Sequence, residues 1–203
     1  MGSNSGIEWC HHTFNPWWGC TKIETKDAAG SACLHCYAAI GANRYGYEVW
    51  GRDAPRRFFG DAHWDAPLVW NRPAADAGER HRVFCASMAD VFEDRRDLDP
   101  WRARLWQLIE RTPHLNWLLL TKRPQHMVSY TPWSRWPTNV WPGVTVEAQW
   151  AAAARLRHLA RVQAEHRFVS CEPLLGPLNL RPWLRDRTID WVIAGGESGP
   201  QAR

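Results

Sequence analysis

The apolar positions of this chain fall into short runs, and each run ends in a similar way. "HRVFCASMADVF" opens with a strand-like apolar stretch. "NWLLLTKRP" is a continuous apolar run that closes on polar residues and a proline, the pattern of a strand buried on both faces. "NVWPGVTVE", "HRFVSCEPLLG" and "IDWVIAGGESG" repeat the design, the last two running into turns marked by Gly or Pro. Two stretches between them have helical spacing. In "DPWRARLWQLIERT" Asp99 is a candidate cap, Pro100 suits the first turn, and Trp101, Leu105, Leu108 and Ile109 share a face. In "AQWAAAARLRHLARVQ" the helical face is Ala152, Leu156, Leu159 and Ala160.

Strands separated by helical or loop crossovers imply βαβ units and a parallel sheet. There are five strand candidates, or six if "IEWCHHTF" is the first. With no internal repeat, low-complexity tract or linker, the reading is one α/β domain over residues 1–203. The polar clusters "SMAD", "TKRP", "TVE", "SCEP" and "GGES" each follow an apolar run. They would therefore gather at the C-terminal edge of the sheet, where parallel α/β folds and barrels bind ligands.

Composition narrows the class further. A hydrophobic fraction of 45% and a charged fraction of 23% are those of an ordinary globular protein. No apolar run approaches the roughly 18 residues of a membrane span, and the start, "MGSNSGIEWC", lacks the regions of a signal peptide. The expectation is a cytoplasmic protein with reduced thiols and no membrane partner. A formal charge of +4 is a mild lean toward anionic partners. Fifteen tryptophans, many beside Pro or Arg, offer either stacking surfaces for bases or wedges that pack loops.

The chemistry concentrates in "WWGCTKIETKDAAGSACLHCYA", which follows the first strand candidate and carries Cys20, Cys33 and Cys36. Three thiolates can hold three irons of a 4Fe–4S cluster and leave the fourth iron open. The competing readings are a zinc site completed by Cys10, His11, His12 or His35, and plain packing of buried thiols. Cys10 and Cys85 read as core or loop residues.

In order, "IEW…TFNPWWGC…CLHCYA", "SMADVF", "LLLTKRP", "VWPGVTVE", "SCEPLLGPL" and "GGESGP" resemble a phage-associated family of the radical S-adenosylmethionine (SAM) superfamily. That family is itself similar to spore photoproduct lyase. The usual superfamily signature is C-x-x-x-C-x-x-C; here twelve residues separate Cys20 from Cys33, so the loop is lengthened by "ETKDAAGSA". The family pattern also leads one to expect a further helix and strand after "GGESGPQAR".

The resemblance implies a partial (β/α)6 TIM-type barrel of parallel strands, with the cluster loop after the first strand. It implies a radical SAM enzyme, lyase-type, in which Cys20, Cys33 and Cys36 ligate the cluster. SAM would be held by Tyr37, Ser87, Asp90, Glu147 and the turn of Gly195, Gly196, Glu197 and Ser198. Helix capping by Ser87 and Asp90, and a solvated loop carboxylate at Glu147, are the plainer alternatives. Lys122, with Arg123 beside it, is a candidate phosphate contact. Cys171 is a candidate hydrogen-atom donor, against the plainer reading of a packed thiol. The implied substrate is a damaged or cross-linked base in DNA, and the implied electron donor a flavodoxin or ferredoxin. Radical modification of RNA, a peptide or a small nucleoside is the alternative within the enzyme class. A zinc-stabilised nucleic-acid-binding module is the alternative outside it.

Overall fold

In the computed structural model, which describes residues 5–25, 30–197 and 202–203, the apolar runs are strands of one sheet. The strands are β1 (His12–Phe14), β4 (His81–Cys85), β5 (Leu115–Thr121), β6 (Val140–Thr145), β7 (Phe168–Cys171) and β8 (Trp191–Ala194). They lie in that order, every pair parallel, in registers such as Phe14 with Cys85, Trp117 with Val140 and Val169 with Val192. Sheet order that follows chain order, with crossovers on one side, gives the partial TIM-type barrel. Among the described residues β1 and β8 do not pair, so the barrel is open there. The first strand is shorter than "IEWCHHTF" suggests, beginning only at His12.

The crossovers after β4 carry α3 (Asp99–Glu110), the short α4 (Met127–Tyr130), α5 (Gln149–Leu159) and the short α6 (Arg181–Arg185). Asp99 is the first residue of α3 rather than its cap, and its Oδ1 accepts from Arg102 Nη1 at 2.5 Å. Leu105, Leu108 and Ile109 are buried as the spacing implies, whereas Ala160 is exposed just past the end of α5. Two helices and a ribbon are not legible in the sequence. The first helix, α1 (Tyr37–Arg44), follows the cysteines directly. The long α2 (Asp61–Asp76) carries Pro67 and Pro73 in its interior. A proline there removes a hydrogen bond and costs about 3 kcal/mol; burial of Trp64, Pro67 and Ala74 against the core offsets it. The ribbon pairs β2 (Trp17–Trp18) with β3 (Arg57–Phe58), antiparallel.

Period-two alternation separates two apolar faces. Trp117, Leu119, Val144, Val169 and Cys171 point to the helix layer, where Leu105, Leu108, Ile109, Leu156 and Leu159 complete the core. Leu118, Phe168 and Ile193 point into the barrel, with Trp9, Leu120, Trp141 and Trp191 around them. Gly143 is what lets Phe168 fill that interior: a Cβ there would lie 2.2 Å from the Phe168 ring. Gly143→Ala is expected to lower stability by about 1–3 kcal/mol through overpacking, measured by denaturant melts; unchanged stability would mean the ring is free to move. Among the described residues no helix is long and apolar enough to cross a membrane.

At the opposite end of the sheet from the cysteine loop, His12 Nε2 lies 3.2 Å from His81 Nδ1, and the His12 ring stacks on Trp70. His11 stacks on His81, and its Nδ1 accepts from the Arg82 N–H. Burial, then the neighbouring His81 and His11, push the pKa of His12 down to about 4. A depressed folded-state pKa means stability is full above the ordinary histidine value of about 6.5 and is lost as pH falls toward 4. The ceiling of that loss is roughly 3 kcal/mol. His12→Phe should flatten this acid limb in thermal melts across the same window.

Candidate active site

The three cysteines open into one cavity of about 530 Å³ at the C-terminal edge of the sheet. Cys20, Cys33 and Cys36 share its lining with Tyr37, Ser87, Asp90, Lys122, Gly196 and Glu197. Ser170 and Glu172, flanking Cys171, line it too. A second cavity, about 720 Å³, opens at the seam between Trp9 and Trp191 and contains none of the cysteines.

The cysteine loop is anchored from behind. Gly19, with φ +111, bridges to the segment after β4, its N–H donating to the Met88 carbonyl at 3.0 Å. Any side chain at Gly19 would lie 2.3 Å from the Val49 carbonyl, so the close approach requires glycine. Thr21 N–H donates to Glu93 Oε1 at 2.8 Å. Glu93 is itself gripped by Arg56, through Nη2 at 2.7 Å and Nε at 3.1 Å, with both side chains buried. Arg56 also donates to the carbonyls of Val49, Gly51 and Ala54, tying the loop before β3 to the cysteine segment.

A second buried pair joins Asp90 to Arg123 at 3.1 Å. Arg123 reaches the Thr21 carbonyl and lies 3.5 Å from Cys20 Sγ. Asp90 also accepts from Thr121 Oγ1 at 2.6 Å and from the backbone N–H groups of Phe92 and Lys122. Its carboxylate is thus both a turn cap and a brace. Burial, then the Asp90 charge, push the Cys20 thiol up to about 12, with Arg123 opposing. A bound metal deprotonates such a thiol outright.

The third pair is Glu147 with Arg155, at 2.5 and 3.1 Å. Glu147 is fully buried and does not line the cavity; its Oε1 accepts from Ala32 N–H at 3.3 Å, next to Cys33. The sequence resemblance implies a SAM ligand at this position, but the structure makes Glu147 a hold on the second half of the cysteine loop. Arg123, read as a phosphate contact, is likewise committed to Asp90 and Thr21. Lys122 lines the cavity.

Around the cavity, Ser87 Oγ accepts from Asn15 Nδ2 at 3.1 Å, and Tyr37 Oη donates to the Ser87 carbonyl at 2.8 Å. Cys36 is the residue from which α1 springs. Glu197 is paired with Arg203 at 2.7 Å, which lowers its pKa. Gly195 serves packing: a Cβ there would lie 2.5 Å from Glu172 Oε1. Ser198 lies outside the described residues. Cys171 does not line the cavity; it is 2% exposed and faces the helix layer, where burial pushes its thiol up to about 11. Strict alternation in β7 would have pointed instead to Ser170 and Glu172. Glu172 has no hydrogen-bond partner for its carboxylate among the described residues.

The donor set can be tested against the two metal readings. Among the described residues no three His, Cys, Asp or Glu side chains converge as ligands of one metal ion. Of the residues suggested to complete a zinc site, Cys10 bonds Ser5, His11 and His12 belong to the histidine group at the other end, and His35 lines the cavity with the three cysteines. An iron–sulfur cube presents separate iron corners to separate thiolates. Cys20, Cys33 and Cys36 line one cavity without converging on a single point.

A parallel partial barrel with a cysteine-rimmed cavity at its C-terminal edge defines the class. The chain belongs to the family described as "Protein of unknown function (DUF5131)", whose model matches residues 4–203. No curated protein matches. A solved structure of a spore photoproduct lyase mutant, with bound AdoMet and dinucleoside spore photoproduct, has the same fold, with a TM-score of 0.55 at 14% identity. The likeness covers 85% of this chain and 48% of the lyase, so the chain spans about half the lyase's length.

Proposed function

We propose that this domain is a radical SAM enzyme, binding a 4Fe–4S cluster through Cys20, Cys33 and Cys36 and SAM in the adjoining cavity. Its substrate on this reading is nucleic acid, with a damaged or cross-linked DNA base as the leading case. The observation that carries the reading is that all three cysteines open into one cavity at the C-terminal edge of this barrel. The lyase with the same fold has AdoMet and a dinucleoside photoproduct bound.

The cluster, reduced by one electron from a flavodoxin or ferredoxin, would supply reductive cleavage of SAM and hence hydrogen abstraction. The chain's own residues bind, orient and exclude water. The buried pairs of Glu93, Asp90 and Glu147 fix the loop that carries the thiols. Ser87 and Tyr37 order part of the wall, and Gly196 and Glu197 belong to the same lining. Glu172 takes the role first given to Glu147: a lining carboxylate with no hydrogen-bond partner among the described residues suits the ammonium or ribose hydroxyls of SAM. Lys122 remains the residue for a substrate phosphate. Cys171 is assigned to the core.

The test is anaerobic incubation of the reduced, iron-loaded protein with SAM, followed by mass spectrometry for 5′-deoxyadenosine. Its formation is expected, and Glu172→Gln should slow it chiefly by raising the KM for SAM. Absence of the product from the iron-loaded protein would overturn the catalytic reading.

A further inference from the structure

We propose that Arg57 is a phosphate anchor for the strand presented to the cavity, an inference that rests on the nucleic-acid reading above. The β2–β3 ribbon sets Trp18 directly across from Arg57 and Trp17 across from Phe58. On one face Trp17 is fully buried, while Phe58 is exposed and stacks on Trp101 at 4.4 Å. The other face holds the arginine. Its guanidinium carbon lies 4.1 Å from the Tyr47 ring centre, 4.7 Å from Trp18 and 4.9 Å from Phe59. The rings support one another, with Trp18 edge-on to Tyr47 and Phe59, and Phe59 stacked on His63.

Among the arginines set over rings, Arg57 is distinguished by what it lacks: Arg102, Arg104 and Arg155 are paired with Asp99, Asp61 and Glu147. Its chain neighbour Arg56 is buried against Glu93 and several carbonyls, Arg95 pairs with Asp97, and Arg104 pairs with Asp61. Among the described residues no carboxylate or carbonyl takes a hydrogen bond from the Arg57 side chain. Ring faces hold a guanidinium through its π-surface and leave its N–H donors unused. Those donors form a fork that matches two oxygens of one phosphate. The residue is half-buried and keeps some solvent exposure.

The ribbon is continuous with the cysteine segment that lines the cavity. Trp18 is two residues before Cys20, Gly51 N–H donates to the Cys20 carbonyl at 3.0 Å, and Trp50 lines the cavity itself. A strand placing one base in the cavity would cross this face with its backbone. Tyr45, 71% exposed and close by in the chain, offers a ring for a flanking base.

The experiment is fluorescence anisotropy of a labelled single-stranded DNA oligonucleotide, titrated with the full chain from about 50 to 200 mM salt. Arg57→Gln is expected to weaken low-salt binding several-fold and to reduce the slope of log K against log salt by about 0.7. Arg57→Lys keeps the charge but not the fork, so it should keep the wild-type slope and bind more weakly. It also covers the case in which Arg57→Gln does not fold, since wild-type affinity in Arg57→Lys would overturn the fork. Wild-type binding with an unaltered slope in Arg57→Gln overturns the anchor and leaves the nucleic-acid reading standing. No wild-type binding at low salt overturns both. Competition by polyglutamate as effective as by unlabelled oligonucleotide of equal charge assigns the site to acidic peptides and overturns the anchor.

Discussion

Cys33→Ala is expected to abolish iron loading and, with it, the formation of 5′-deoxyadenosine from SAM. The wild-type chain should load about four irons; the variant should stay near background. Two thiols cannot hold three corners of a cube, and the lining supplies no further cysteine. Cys85→Ala is the matched control. Cys85 is fully buried in the helix-side core, so its loss should lower the melting temperature modestly while iron and product stay near wild type. Iron assay, absorption and product analysis on the same preparations check both halves. A Cys33→Ala protein that still yields 5′-deoxyadenosine would remove the cysteines from the chemistry.

The second large effect is expected at Glu147. Glu147→Leu leaves the buried Arg155 without its counter-charge, and breaking such a pair from one side costs about 3–5 kcal/mol. In a chain of this size that lowers Tm by roughly 10 °C. The same change deletes the acceptor for Ala32 N–H beside Cys33. Adding Arg155→Met removes the stranded charge and should restore most of the stability. It should not restore the hold on the loop, so iron loading of the double variant stays low while its melt recovers. That separation distinguishes a brace for the cysteine loop from a merely structural ion pair. Full iron loading in the stable double variant would assign Glu147 to stability only.

Much of this architecture is written locally. The run "NWLLLT" is a strand because a continuous apolar segment bounded by polar residues has two buried faces to satisfy, and β5 lies mid-sheet. The polar clusters after each run do gather at one edge, which is why Ser87, Asp90 and Lys122 meet the cysteines in one lining. Tertiary pairing is not legible. Nothing in the sequence joins Arg56 to Glu93, thirty-seven residues on, or marks Glu147 as Arg155's partner. A carboxylate at the C-terminal end of a strand looks the same whether it meets a ligand or an arginine. At β7 the signal is present but needs the strand's phase: Phe168 inward places Ser170 inward and sends Cys171 to the helices. Helix α2 is hidden by Pro67 and Pro73, whose local penalty is overridden by packing that only the folded sheet provides.

The most direct measurement is anaerobic reconstitution of the full chain with iron and sulfide, followed by metal analysis and electron paramagnetic resonance of the reduced protein with and without SAM. A brown protein with about four irons, whose reduced spectrum changes when SAM is added, is the expected result. A colourless protein that retains a single zinc ion, or an iron-loaded one whose spectrum ignores SAM, would contradict it.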